Sequence, residues 1–128
     1  MTQRVAGQPE QHDVYAAQCP CRVMLDLLSN KWSALAIGAL EQGPRRFGEL
    51  QRRLQGVSAK VLTQTLRRLE DADLLTRTVY PAVPLHVEYA LTELGRGAAV
   101  PLAHLRTWVE GASHRDDACP RLPPRPEP

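Results

Sequence analysis

Ser58-Ala59-Lys60-Val61-Leu62-Thr63-Gln64-Thr65-Leu66-Arg67-Arg68-Leu69-Glu70-Asp71 is the stretch on which the fold turns. Wound at about 100° per residue, it gathers Ala59, Leu62, Leu66 and Leu69 into one apolar stripe. Lys60, Gln64 and Arg67 fall on the opposite side, flanked by Thr63 and Arg68. Ser58 suits the N-cap, its hydroxyl accepting from an otherwise unpaired backbone N–H of the first turn. One face is built for burial. The other carries long donors, which is what a helix needs to enter a major groove and reach phosphates and base edges. Solvated amphipathic helices also have charged outer faces, so the flanking sequence has to decide.

Immediately upstream, Phe47 to Leu54 spaces Phe47, Leu50 and Leu54 at i, i+3 and i+7, and Gln55-Gly56-Val57 reads as a three-residue turn. Helix, tight glycine-containing turn and second helix with a polar outer face make a helix-turn-helix. Downstream, Leu75 to Tyr80 and Val87 to Leu91 alternate in the manner of strands. Pro81-Ala82-Val83-Pro84-Leu85-His86 is a stiff loop between them. Two strands joined by a projecting loop directly after a helix-turn-helix form a wing. The combination is more specific than either half.

Working outward, Arg45-Arg46 reads as a very short extended piece after the Gly43-Pro44 stop. A helix is expected over Ser33 to Glu41, and a shorter one before it carries Val23, Met24, Leu27 and Leu28, with Pro20 in its first turn. A last helix starts at Thr92, lines Leu94, Ala98, Leu102, Leu105, Trp108 and Val109 along one side, and is expected to kink at Pro101. A domain this small cannot cover both terminal helices, so they call for a partner surface, read here as a second copy of the chain. The expected fold is mainly α with a small β wing: a winged helix-turn-helix whose N- and C-terminal helices form a dimer. The division is a mobile arm over residues 1–18, the winged domain with its dimerisation helices over 19–113, and a disordered Pro-rich tail over 114–128.

The chain has 128 residues and a formal charge of +2, too small a balance to argue for nucleic acid by itself. Its distribution says more. Residues 43–80 hold eight Arg and Lys against four acids, a local +4, and the rest of the chain is at −2. No apolar run approaches the roughly 18 residues of a membrane span, and the polar start lacks the apolar core of a signal peptide. A cytoplasmic address follows as the expectation. The three cysteines, Cys19, Cys21 and Cys119, are no disulfide framework and should be thiols in a reducing compartment.

Cys19-Pro20, the run from Leu25 to Trp32, Gly43-Pro44-Arg45-Arg46-Phe47-Gly48-Glu49-Leu50, Ser58 to Glu70, Val79-Tyr80-Pro81-Ala82-Val83-Pro84 and Val87 to Gly95 together resemble the HxlR-type regulators. The likeness runs from about Cys19 to Glu110 with its motifs in order. It implies a homodimeric bacterial transcription factor related at fold level to MarR-type regulators, its first and last helices building the dimer. Two positions depart from the pattern. Ser29-Asn30 stands where the family commonly has Gly-Gly, and His86 stands where the wing usually carries Arg or Lys. A neutral imidazole there would weaken a phosphate contact and make it pH-sensitive. The same residue also reads as merely an exposed loop residue.

The partner expected is double-stranded DNA, with two recognition helices in successive major grooves of a near-palindromic operator. Gln64 would meet an adenine edge and Arg67 a guanine edge. Lys60, Arg68, Ser58 and Thr63 suit phosphate positioning, with Arg45, Arg46, Arg77 and the His86 wing adding backbone or minor-groove contacts. Repression is the default, since a small dimer over a promoter blocks polymerase unaided.

Cys19 matches the position where some members of the family carry a sensing thiol, and a helix N-terminus with Arg22 nearby favours its thiolate; it reads equally as a small apolar residue at a dimer seam. Cys19 and Cys21 look too close for an easy disulfide with each other, whereas a bridge to Cys119 of a second copy remains open. Metal ligation is not expected, because the cysteines show no zinc-ligand spacing with His12, His104 or His114. No cofactor is expected either. Catalysis is disfavoured by the lack of a phosphate-cradling loop, a Ser-His-Asp signature or a ligand cluster. Two alternatives stay in view: a small-molecule effector near Trp32, Tyr89 and Trp108, and a winged helix that binds protein rather than DNA.

Overall fold

The computed structural model describes residues 13–113. Residues 1–12 of the expected arm over 1–18, and the expected tail over 114–128 with Cys119, lie outside the described residues. The order is α1 (Pro20–Leu28), α2 (Lys31–Ala39), β1 (Arg45–Arg46), α3 (Phe47–Arg53), α4 (Ala59–Asp71), β2 (Leu75–Tyr80), β3 (His86–Leu91) and α5 (Glu93–Ser113). The three strands form one antiparallel sheet in the order β1-β3-β2. This is the winged helix-turn-helix that the sequence predicts.

Ile37, Leu40, Leu50, Leu54, Leu62, Leu66, Leu69, Leu74 and Leu75 are buried together at the centre. Each such side chain removed from water contributes about 1.5–3 kcal/mol before entropy is counted. On α4 the stripe is Leu62, Thr65, Leu66 and Leu69. Ala59 was expected in it and is exposed instead, because the first turn of α4 extends past the core. Thr65, one turn on from Leu62, takes the inward place.

α2 begins at Lys31 rather than at Ser33 and ends at Ala39 rather than at Glu41. Asn30 sets the start: its Oδ1 accepts from the backbone N of Trp32 at 2.9 Å and of Ser33 at 3.2 Å. The Asn that departs from a Gly-Gly pattern is therefore the cap. β3 also begins one residue earlier than expected. His86 belongs to it and faces Tyr80 across the ladder, so it is not an exposed loop residue.

The corner from α4 into the wing is tightly held. Asp73 adopts φ 63°, and the backbone N of Leu74 reaches back to the Leu69 carbonyl at 2.9 Å, a helix stop of the left-handed kind. Thr92 then closes it from the other strand: its N donates to the Leu74 carbonyl at 3.1 Å and its hydroxyl to the Asp73 carbonyl at 2.6 Å. The same hydroxyl accepts from Gly95 N at 3.0 Å, starting α5.

α5 continues through Pro101 as one helix. The carbonyl that Pro101 cannot serve belongs to exposed Gly97, where water can reach it. Ala98, Ala99 and Leu102 pack inward, while Leu94, Val100, Leu105, Trp108 and Val109 remain exposed. Val23 and Leu25 of α1 are exposed as well. Among the described residues no helix is long and apolar enough to cross a membrane.

At the N-terminal end, residues 13–18 form turns, and the Arg22 guanidinium donates to the Val14 and Tyr15 carbonyls at 3.5 and 3.3 Å. Cys19 is the N-cap of α1 and is only 4% exposed. It is joined to Cys21 as a disulfide across a Cα–Cα distance of 5.3 Å. The expectation that the two stand too close for an easy disulfide is corrected. An extended residue leading into a helical turn separates the two Cα atoms by a distance that suits a bridge.

Candidate nucleic-acid interface

The reading head is built from α3, the turn after it and α4. Leu54 ends α3, Val57 is buried, and Gly56 between them has φ +94°. Only glycine adopts that conformation without strain. Ser58 then caps α4, its hydroxyl oxygen accepting from Val61 N at 3.1 Å. The Ser58 hydroxyl hydrogen remains available to an incoming acceptor.

With Leu62, Leu66 and Leu69 facing the core, Lys60, Thr63, Gln64, Arg67 and Arg68 are all exposed on the outer surface of α4. The structure thus brings six of the ten predicted DNA-facing residues together on one capped helix. Thr63 differs from its neighbours, because its hydroxyl donates to the Ala59 carbonyl at 2.7 Å. Only its lone pairs face outward.

The sheet divides the remaining four. Arg45, Tyr89 and Arg77 are opposite one another in the order β1, β3, β2, so they form a row on one face. Arg46 pairs with Glu88, and Glu88 with Thr78, in the row on the other face. Arg45 and Arg77 therefore lie on the face that carries core-packed Tyr89 and Leu75, Arg45 half-buried and Arg77 exposed, whereas Arg46 is exposed on the other face. Arg46 also serves α3, its backbone N donating to Glu49 Oε1 at 2.8 Å.

His86 is at the neck of the wing. Its ring stacks on Tyr80 at 4.9 Å between centroids and 19° between planes, with Nε2 3.6 Å from Glu88 Oε2. Glu88 is a neighbour that the sequence pattern does not single out. Alternation along β3 puts it on the same face as His86, but only the β1–β3 register sets it opposite Arg46. The loop beyond, residues 81–85, is exposed throughout, with Val83 fully so.

The three aromatics considered for an effector pocket are differently placed. Trp32 and Tyr89 pack against the core, whereas Trp108 is 66% exposed on α5. An apolar groove of about 570 Å³ lies instead where α1 meets the start of α5, walled by Met24, Leu28, Leu74, Leu94 and Ala98.

The model of the HxlR-like helix-turn-helix family matches residues 27–117. The chain belongs to that family. An uncharacterized HTH-type transcriptional regulator of Escherichia coli strain K12, YtfH, is 42% identical over 106 residues, covering 83% of this chain and 84% of its own. The solved structure of ytfH from Salmonella typhimurium superposes with a TM-score of 0.74 at 42% identity, over 79% of this chain and 90% of that one. The redox regulator HypR in its oxidized form superposes with a TM-score of 0.69 at 36% identity, over 77% and 99% respectively. This HxlR-family protein is accordingly a transcriptional regulator carrying a helix-turn-helix, and α4 occupies the second-helix position of that motif.

Proposed function

We propose that this regulator binds specific DNA as a homodimer and represses transcription from a near-palindromic operator. The observation that carries the reading is the outer face of α4, where Lys60, Gln64, Arg67 and Arg68 are exposed behind a Ser58 cap. Gln64 and Arg67 read base edges, and Lys60, Arg68 and the free Ser58 hydroxyl hold phosphates. Arg45 and Arg77 add backbone contacts from the two edge strands of the sheet. Exposed apolar residues on α1 and α5, with the groove between these helices, supply the surface for a second copy.

Thiol oxidation is the signal this reading assigns. Cys19 and Cys21 are close enough to bond at the start of α1, and a related chain is described as a redox regulator. Two thiols become one disulfide, and both protons and both electrons pass to an oxidant such as diamide, whose N=N bond is reduced to N–N. A small apolar effector seated in the groove beside Met24 and Leu94 is the second reading, favoured by the groove's size.

Footprinting on the DNA upstream of the protein's own gene, with and without diamide, tests the proposal. A protected, roughly twofold-symmetric site that is lost or weakened on oxidation supports it. Equal affinity for that DNA and for random duplex would overturn sequence-specific binding. Protection indifferent to oxidant would remove the thiol signal and leave the effector reading.

A further inference from the structure

The inward face of α5 changes character along its length. Ala99 and Leu102 pack against the apolar core, and the next inward position, one turn further on, is Arg106. Its guanidinium Nη2 is 2.9 Å from Glu41 Oε1, just beyond the end of α2. It also lies against the last turn of α2 at Gly38, where an added Cβ would come within 2.5 Å of Nη1. Three features of α2 therefore select a guanidinium at this point: a missing side chain that leaves a flat seat, a carboxylate at its rim, and the negative end of a helix dipole.

We propose that Arg106 is a positioning residue that fixes the angle between α5 and the helix-turn-helix, and through it the separation of operator half-sites that the dimer accepts. The inference rests on the dimeric, DNA-binding reading above. With α5 holding the second copy and α2 packing on α4, the Arg106 contact lies on the path from the dimer axis to the reading head. α5 has 21 residues and spans about 30 Å, so a swing of about 6° displaces its far end by about 3 Å. That is close to the roughly 3.4 Å rise of one base pair.

The pair contributes little to folding, since the side chains are 36% and 30% exposed. Folding and spacing can therefore be separated experimentally. The wild-type protein is first used to select its operator from a random duplex library. Affinity is then measured on that operator with its half-sites moved closer or apart by one and two base pairs. Wild type should lose about tenfold or more at each wrong spacing, because two tethered contacts fail when their geometry does not match.

Arg106→Gln should remain dimeric with a Tm within about 2 °C of wild type, bind random DNA equally well, and show a spacing profile flattened to within about threefold. Gly38→Ala gives an independent check, since its methyl displaces the guanidinium while favouring the helix. It should raise Tm and flatten the profile together, a combination that loss of structure does not produce. Two half-sites selected by wild type, with its profile retained in both variants, would overturn the clamp alone. A flattened profile accompanied by a fall in Tm or dimer content in both variants would reduce Arg106 to a structural role. Selection of a single half-site by wild type would overturn the dimeric reading and the clamp with it.

Discussion

Gly95 lies directly against the backbone carbonyl of Leu74, so closely that an added Cβ would overlap the oxygen. That carbonyl also accepts from Thr92 N at 3.1 Å, tying the start of β2 to the start of α5. Replacing a helical glycine by alanine ordinarily stabilises, by up to about 1 kcal/mol. Here the backbone cannot move aside without breaking the Thr92 bond, so overpacking outweighs propensity. Gly95→Ala should destabilise by about 1–3 kcal/mol, read as a lower urea midpoint with an unchanged slope.

Gly56 gives the same sign for a different reason. Its φ is +94°, and the nearest atom to an added Cβ is Trp32 Cη2 at 3.8 Å, an ordinary contact. Space is available, but the conformation is not. Gly56→Ala should cost about 1–2 kcal/mol, and Gly56→Asn less, because asparagine tolerates left-handed backbone better. Equal losses for the two would show that crowding, and not backbone conformation, limits the turn.

The two amide–cap bonds of Asn30 predict a measurable loss at the start of α2. Asn30→Ala should cost about 1 kcal/mol, and Asn30→Asp should retain most of the stability. Denaturant melts of the three proteins decide it. An alanine variant as stable as wild type would mean that these bonds merely replace equivalent ones to water.

On DNA, the division of labour along α4 separates two variants. Arg67→Ala should relax preference at one base pair by about 1–3 kcal/mol. Lys60→Ala should weaken binding on all sequences and reduce the salt slope by about one. Titrations on operator and random duplex at several salt concentrations distinguish them, and matching losses on both DNAs for both variants would remove the distinction.

For the thiols, a Cys119→Ser protein first reduced and then treated with diamide should lose two alkylatable thiols and still migrate as a single chain on a non-reducing gel. Cys21→Ser should abolish the change in DNA affinity. A crosslinked dimer in the Cys119→Ser protein would instead place the bridge between subunits.

The motif was legible in the sequence because its signals are local. Leu62, Leu66 and Leu69 repeat at helical spacing, Ser58 precedes them, and Gly56 marks the turn. What depends on non-adjacent contacts was not legible. Asn30 looked like a loop residue until its Oδ1 was placed over two amides. His86 looked like wing loop until the ladder paired it with Tyr80. Glu88 became a neighbour of Arg46 only through β1–β3 pairing. Arg106 carried a weak signal, a charged residue at i+4 from inward-facing Leu102, yet the carboxylate that answers it stands 65 residues away. The cysteine pair differs from expectation for a simpler reason. Nearness in sequence suggests strain, whereas the extended backbone of Cys19 provides the needed separation.

The corner at Asp73 and Leu74 has one more implication. Since α4, β2 and the first turn of α5 are pinned at a single joint by Thr92, the recognition helix and the wing cannot be adjusted separately to an imperfect target. Accommodation is left to the nucleic acid. Operators whose untouched central steps kink readily should outcompete stiff ones bearing identical half-sites.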